Sequence, residues 1–149
     1  KIPLFGRAAA AAGTVYIQRD NKKAAFDAYR EAAEKINEGA SVIVFAEGTR
    51  GDDYSLRHFK KGPFVLAIRA QAPVVPTVIH GTIRVQPRGR VRVEPGAVHV
   101  HFLEPVPSAG LDYAQRDQLA AAVRDRMAEC LEREYGVKSD VILPRRIAG

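Results

Sequence analysis

The order of apolar segments predicts an α/β fold with a mostly parallel central sheet flanked by helices. Two apolar runs with strand character, Val42 to Phe45 and Val74 to Ile79, are separated by a helical pattern. Fully apolar strands that alternate with helices usually belong to a parallel sheet that is buried on both faces. With 149 residues, 46% apolar and 27% charged, the chain has the size and composition of one compact domain. We therefore expect one domain over residues 1–135 and a less ordered tail over residues 136–149.

The first half of the chain alternates strand and helix signals. Residues 14–17 are β-branched and aromatic, which favours a short strand. A polar cap at position 20 or 21 can then begin a helix over about residues 22–38, and Gly39 ends it. The apolar positions of this helix recur at spacings of three and four, which predicts a buried stripe. Its members are Phe26, Tyr29, Ala33 and Ile36.

The second half begins with a helix over about residues 62–70 and a strand near residues 74–79. Alternating residues from 91 to 93 and from 98 to 102 then predict strands with one face in water, and we expect His99 and His101 on that face. Asp112, with Gln115 three residues later, is typical of the start of a final helix to about Tyr135. Its apolar stripe is Leu119, Val123, Met127 and Cys130.

The charge balance favours anionic partners. Lys and Arg outnumber Asp and Glu by 23 to 17, which gives a net charge of +6 and a pI of about 9.7. Nucleic acid, anionic lipid headgroups and phosphorylated substrates all suit that sign. The six Phe and five Tyr residues fall mostly at core-spaced positions and do not interleave a basic stripe. We therefore expect no nucleic-acid partner.

Two other classes of protein are disfavoured by composition. The single cysteine, Cys130, excludes an internal disulfide, and we expect it to be buried on the final helix. No stretch approaches the roughly 20 apolar residues of a membrane-spanning helix, and the first residues lack the order of a signal peptide. We expect the printed residues not to span a bilayer.

The segment Glu47-Gly48-Thr49-Arg50 directly follows the apolar run at residues 42–45. A polar turn with a glycine at a strand end can expose backbone N–H groups, and an arginine offers a planar fork of donors that matches phosphate oxygens. The pattern predicts a phosphate-binding turn. The alternative is a turn in which Glu47 and Arg50 merely pair with each other.

Three neighbouring segments occur in the order and approximate spacing of one family. They are Gly13 to Arg19, Phe59 to Gly62, and Pro73 to Ile79. With the Glu47–Arg50 segment, they resemble the motifs of the glycerolipid acyltransferases, and within them the bacterial 1-acyl-glycerol-3-phosphate acyltransferases. The resemblance implies a glycerol-3-phosphate acyltransferase-like fold. Three positions differ from the common family pattern, and they are Gln18, Ala46 and Gly51.

The resemblance implies which residues bind the substrate. By position, the glycerol phosphate would contact Arg19, Glu47, Gly48, Thr49 and Arg50. Like charges repel, so Glu47 is expected to orient an arginine or receive the glycerol hydroxyl. Lys60 and Lys61 precede a predicted helix start, where anions are favoured, so they either extend the phosphate site or form a solvated basic turn.

The family's catalytic pair, a histidine followed five positions later by an aspartate, does not occur in this sequence. At that offset His58 is followed by Pro63, and the other three histidines are followed by Val85, Glu104 and Val106. No catalytic residue is therefore assigned. We interpret the chain as a fragment, inactive by itself, whose catalytic residues lie upstream of Lys1. Two histidines on one strand face, His99 and His101, supply too few ligands for zinc, so no metal site is predicted.

The resemblance implies transfer of a fatty acyl group from acyl-CoA or acyl-carrier protein to lysophosphatidic acid, giving phosphatidic acid. The expected partners are the lysophospholipid acceptor, the acyl donor and a membrane surface at the cytoplasmic face of the bacterial inner membrane, without a further cofactor. Two alternatives stay open: another lysophospholipid or acyl-amino-acid acceptor, or a catalytically dead basic binding module.

Overall fold

The computed structural model of the chain describes residues 22–87, 89 and 92–139, with side chains from residue 27 onward. The chain divides into two compact units, Lys1–Ile43 and Val44–Gly149. Helix α1 (Lys22–Asn37) belongs to the first unit. The second unit contains, in chain order, α2 (Gly62–Ala70), β1 (Thr77–His80), α3 (Thr82–Val85), β2 (His99–Phe102), a 3₁₀ turn (Tyr113–Gln115) and α4 (Arg116–Tyr135).

Helix α1 matches the predicted helix and ends where the glycine signal places its end. The N–H groups of Gly39 and Ala40 each donate a 3.0 Å bond to a carbonyl of the last turn, the pair of hydrogen bonds typical of a glycine-terminated helix. Apart from Phe26, whose side chain lies outside the described residues, the predicted stripe is buried or half-buried. Its described members are Tyr29, Ala33 and Ile36.

Helix α2 has the bounds that its sequence predicts. Pro63 lies in the first turn, where a missing N–H removes no helical hydrogen bond. Gln71 ends the helix with φ 50°, and its side-chain amide donates to the carbonyl of Ile68 at 2.6 Å. The helix is mostly apolar, and its buried residues are Phe64, Leu66, Ala67, Ile68 and Ala70.

Strands β1 and β2 form an antiparallel sheet in which Val78 lies opposite His101 and His80 opposite His99. These four residues share one face, and α4 covers most of it: Val78 packs against Cys130 and Leu131 on that helix. The opposite face carries Thr77, Ile79, Val100 and Phe102. Phe102 is 76% exposed.

The predicted assignment of faces in β2 is therefore wrong. His99 is exposed as expected, but His101 on the same face is half-buried, and the apolar face is the open one. The reason is that Tyr135 at the end of α4 gives the histidines partners: its hydroxyl lies 2.5 Å from Nε2 of His101, and its ring stacks on His80 with centroids 3.7 Å apart. A polar ring with a partner can lie on a covered face at little cost.

The apolar run at residues 42–45 forms no strand, contrary to prediction. Its side chains are exposed, Ile43 at 89% and Phe45 at 76%. A strand needs a neighbour for its N–H and C=O groups, and no ladder among the described residues reaches this run. The predicted strand at residues 14–17 lies outside the described residues, and residues 92 and 93 form no strand. The described sheet is antiparallel, so the parallel central sheet stays a prediction.

Helix α4 begins as its sequence predicts. The Asp112 carboxylate accepts a bond from the N–H of Ala114 (2.8 Å), and the Gln115 side chain accepts one from the N–H of Asp112 (2.9 Å). This capping box opens the 3₁₀ turn that leads into α4. Cys130 is buried, as expected. The main core joins α4 to α2 and consists of Phe59, Phe64, Ala67, Ile68, Val106, Leu119 and Val123.

The turn after β1 is fixed by a close backbone approach at Gly81. This glycine has φ +101°, and a Cβ built on it would lie 2.2 Å from the carbonyl oxygen of Ala97. Its N–H donates to the hydroxyl of Tyr54 at 3.1 Å. Only a residue without a side chain fits both the φ value and the contact.

Replacement of Gly81 by alanine should destabilise the fold more than the same change at Gly110. Gly110 has a similar φ of +77° but open space around its Cα. Gly110→Ala should cost about 1 kcal/mol from the left-handed backbone alone, and Gly81→Ala roughly 2 kcal/mol more from overpacking. Urea unfolding followed by circular dichroism measures both. Equal losses would show that the Ala97 contact relaxes freely.

Candidate functional site

The Glu47–Arg50 segment forms a turn, as predicted. The N–H of Gly48 donates to the carbonyl of Phe45 at 3.0 Å, and Gly48 has φ +72°, a value that favours glycine. Thr49 and Arg50 follow with exposed side chains. The turn therefore presents a hydroxyl and a guanidinium to solvent at neighbouring positions.

The Glu47 carboxyl group is half-buried beneath this turn. Burial raises its pKa, while the backbone N–H of Arg57 donates to it and the charges of Arg57 and Arg124 act in the opposite direction. Asp53 adds a small repulsion that also raises the pKa. The net result is a carboxyl group that holds its proton more readily than a surface glutamate. A carboxyl oxygen in this position can accept a hydrogen bond from a hydroxyl group.

A compact polar loop follows the turn. The Asp53 carboxylate accepts bonds from the N–H (3.0 Å) and the hydroxyl (2.6 Å) of Ser55, and these bonds lower its pKa. Arg57 lies 3.7 Å from the carboxylate of Asp52. The loop therefore satisfies its own charges and places Arg57 next to Glu47.

Helix α4 and the segment after it anchor this loop. Arg124, only 8% exposed, donates from Nη2 to the carbonyl of Leu56 at 3.1 Å. The N–H of the same Leu56 donates to the hydroxyl of Ser139 at 3.0 Å. Both backbone groups of one loop residue are thus held by side chains more than 60 positions away in the sequence.

The two predicted lysines differ in their surroundings. The backbone N–H of Lys60 donates to the carbonyl of Ala46 at 2.8 Å, which ties the start of the turn to the approach to α2, and its side chain is exposed. The ammonium of Lys61 lies 3.3 Å from the carboxylate of Asp117 on α4, and both side chains are more than half exposed. An exposed pair of this kind contributes about 0–1 kcal/mol, so an anion could compete for Lys61.

Comparison with known proteins identifies the family. The model of the family described as Acyltransferase matches residues 1–80, more than half of the chain. The chain belongs to the acyltransferase family. A 1-acyl-sn-glycerol-3-phosphate acyltransferase from Brassica napus, named as chloroplastic, is 33% identical over 131 residues, which cover 87% of this chain and 37% of the relative. A protein of the same enzyme name from Saccharomyces cerevisiae is 31% identical over 150 residues, covering 96% and 49%.

A solved structure supports the acyltransferase fold. The crystal structure of the 1-acyl-sn-glycerophosphate (LPA) acyltransferase PlsC from Thermotoga maritima matches with a TM-score of 0.66 and 34% identity. The match covers 75% of this chain and 47% of that one. The chain thus spans between about a third and half of the length of these acyltransferases.

Within this acyltransferase chain, the structure brings together most of the predicted site. Glu47, Gly48, Thr49 and Arg50 are consecutive at one turn, and the backbone N–H of Lys60 donates to the carbonyl of Ala46, the residue before them. Arg19 lies outside the described residues. Two arginines beside Glu47, Arg57 and Arg124, were missed because neither belongs to a short motif. The one signal for Arg124 is its position at the margin of the apolar stripe, three residues before Met127.

The histidines of the sheet form no metal site. Among the residues that the structure describes, no group of three or more His, Cys, Asp or Glu side chains is arranged to hold a metal ion. In the same residues, no helix combines the length and apolar character needed to cross a membrane.

The substitution Glu47→Gln should alter how stability depends on pH. Because the folded-state pKa of Glu47 lies above its usual value of 4.5, ionisation costs stability at neutral pH, and the cost disappears as the group protonates. The variant should therefore be more stable than the wild type at about pH 7, and the two should converge below about pH 4. Chemical unfolding between these pH values measures the difference.

Asp53→Asn serves as the matched control, because the Asp53 pKa is shifted in the opposite direction. A lowered pKa contributes stability above the ordinary value of 3.8, and this contribution is lost in acid. This variant should be less stable than the wild type at neutral pH. Parallel pH curves for wild type and Glu47→Gln would contradict the proposed environment of Glu47.

Proposed function

We propose that the whole protein transfers a fatty acyl group to lysophosphatidic acid and releases phosphatidic acid, and that this part of it holds the acceptor's phosphate. The observation that carries the proposal is the Glu47–Arg50 turn, with Thr49 and Arg50 exposed next to a half-buried carboxyl group. The enzyme name shared by the curated relatives supports the choice of acceptor.

The chemistry of the turn suits a glycerol phosphate. A phosphate monoester presents several oxygens to which a guanidinium can donate two parallel bonds, and the exposed Arg50 would take this role. The Thr49 hydroxyl can donate a further bond. Glu47 would accept a bond from the free glycerol hydroxyl, and the positive charges of Arg57 and Arg124 beside it would offset part of its repulsion from the phosphate.

Acyl transfer also requires a base that removes the proton of the attacking hydroxyl. The sequence contains no histidine followed five positions later by aspartate. The base would therefore come from a part of the protein outside these 149 residues. The 149 residues alone would bind the acceptor but would not transfer the acyl group. Arg19 and Lys60 would add positive charge at the phosphate. Lys61 would also do so if its ammonium group left the Asp117 carboxylate and paired with the phosphate instead.

The remaining parts of the proposal concern the donor and the location. The donor would be acyl-CoA or acyl-carrier protein, with no metal or organic cofactor. The acceptor is a lipid, so the protein would work at a membrane surface, and the net charge of +6 would favour anionic headgroups there. We place it at the cytoplasmic face of a bacterial inner membrane.

Replacing Arg50 with alanine should abolish most of the affinity for the acceptor. Loss of a charge-assisted, bidentate contact should weaken binding at least about tenfold. The measurement is titration calorimetry with a short-chain lysophosphatidic acid below its critical micelle concentration.

Arg133→Ala is the matched control, because Arg133 is exposed and its ion pair among the described residues is with its sequence neighbour Glu134. It should bind as the wild type does. Unchanged binding by Arg50→Ala would remove Arg50 from the acceptor site. Equal binding of short-chain lysophosphatidylcholine by the wild type would contradict recognition of the phosphate monoester.

A further inference from the structure

A second concave site lies at the end of the β1–β2 sheet, next to the C-terminal end of the Pro73–Ile79 segment and separate from the Glu47–Arg50 turn. It is a cavity of about 290 Å³ between the end of β1, helix α3, the loop before β2 and the end of α4. Its wall includes the side chains of His80, Arg84, His99 and Tyr135 and the backbone at Gly81 and Gly96. We call it the histidine pocket.

The charge in the histidine pocket has one sign. Arg84 is a permanent cation, and His80 and His99 become cations when protonated. No carboxylate is among the described residues that line the cavity. The nearby Glu94 is engaged with Arg92, with Nε and Oε1 3.2 Å apart. A small anion is therefore the ligand that the lining favours.

The walls of the pocket are fixed by packing of the backbone. At Gly81 a Cβ would meet the carbonyl oxygen of Ala97 at 2.2 Å, so the two walls touch without a side chain between them. At Gly96 a Cβ would lie 3.1 Å from Cγ2 of Val85 on α3. The loop before β2 thus lies close against the end of β1 and α3, so this part of the wall is in place before a ligand arrives, which lowers the entropic cost of binding.

The His80 ring is held in place on both of its faces. The Tyr54 ring lies 4.1 Å away on centroids and the Tyr135 ring 3.7 Å away, the latter nearly parallel at 10°. This environment lowers the pKa of His80, first through desolvation and then through the positive charges of Arg84, His99 and His101. An anion in the cavity would neutralise that repulsion and favour the protonated ring.

We propose that the histidine pocket is a second anion site, which binds a phosphate group through Arg84, His80 and His99. The cavity volume suits one phosphate group with part of its substituent. A metal ion does not fit the lining, because the described residues contain no suitable group of three ligands. The phosphate could be free in solution or belong to a lipid headgroup, and the two sources share the same chemistry.

The test is a titration of the 149-residue chain with inorganic phosphate, observed through the histidine Cε1 proton resonances. Phosphate should shift the signals of His80 and His99 in the wild type. Arg84→Gln should weaken the binding about tenfold, since it removes the fixed cation from an exposed position where the fold does not depend on it. Arg30→Gln, which removes an exposed arginine on α1, is the control that should bind normally. His99→Gln is a second variant with the same expected direction.

The dependence on pH is tested with sulfate, which remains a dianion throughout the range. Binding should strengthen in acid, because His80, whose pKa lies below the ordinary histidine value, becomes positive there. The other titratable or charged groups near the rings are His101, Tyr54, Tyr135 and Glu134. Glu134 remains ionised in this range because the adjacent Arg133 lowers its pKa, and burial raises the pKa of Tyr135, so the histidines account for the change.

Two comparisons identify the source of the phosphate and separate this site from the Glu47–Arg50 turn. Binding to phosphatidylcholine vesicles that contain phosphatidic acid, reduced by Arg84→Gln, would indicate a lipid headgroup; binding of inorganic phosphate alone would indicate a free anion. Arg50→Ala should leave the His80 and His99 shifts unchanged. The proposal is overturned if Arg84→Gln binds phosphate as the wild type does, or if Arg50→Ala removes the histidine shifts.

Discussion

The hydrogen bond from the buried Arg124 guanidinium to the carbonyl of Leu56 joins α4 to the segment that carries the candidate site. Residues 44–60 contain no helix or strand, so their conformation depends on groups that reach in from elsewhere in the chain. A buried guanidinium is costly unless its donors and its charge find partners. Here it has a backbone carbonyl as acceptor and the Glu47 carboxyl group as a nearby opposite charge. The same cation therefore shapes the loop and sets the electrostatics of the turn.

Helix α4 also positions functional residues at both of its ends. Its first turn approaches α2 through the exposed pair of Asp117 and Lys61, and its last residue, Tyr135, lies on the histidine face of the sheet. The exposed pair is weak, whereas the apolar contacts of Leu119 and Val123 are buried in the main core. Packing thus positions the helix, and its polar side chains then place the loop, the lysine and the histidines.

Local signals in the sequence were enough for most of the helices. Pro63 lies in the first turn of α2, and Asp112 with Gln115 marked the start of the final helical segment. These features act within a few residues, so a sequence pattern contains them. The run at residues 42–45 is different. Apolar character alone does not make a strand, because a strand also needs hydrogen bonds from a second segment.

In the candidate site, too, the features set by neighbouring residues were predictable from the sequence, and those that depend on distant segments were not. The Glu47–Arg50 turn was predictable because Gly48 and its neighbours are contiguous, and the positive φ of Gly48 agrees with that prediction. The sequence did not reveal that Arg57 and Arg124 lie beside Glu47, because these contacts depend on how the loop and α4 pack. The burial that raises the Glu47 pKa is likewise a property of the folded chain.

The arrangement of the β1–β2 sheet implies a competing register. A shift of β2 by one residue would turn Val100 and Phe102 toward α4 and the two histidines toward water, which hydrophobicity alone would prefer. The native register instead relies on Tyr135, which stacks on His80 and bonds to His101, and on the glycine contact at Gly81. The sheet is therefore locally frustrated, and its alignment depends on the contacts that Tyr135 at the end of α4 makes with His80 on β1 and His101 on β2.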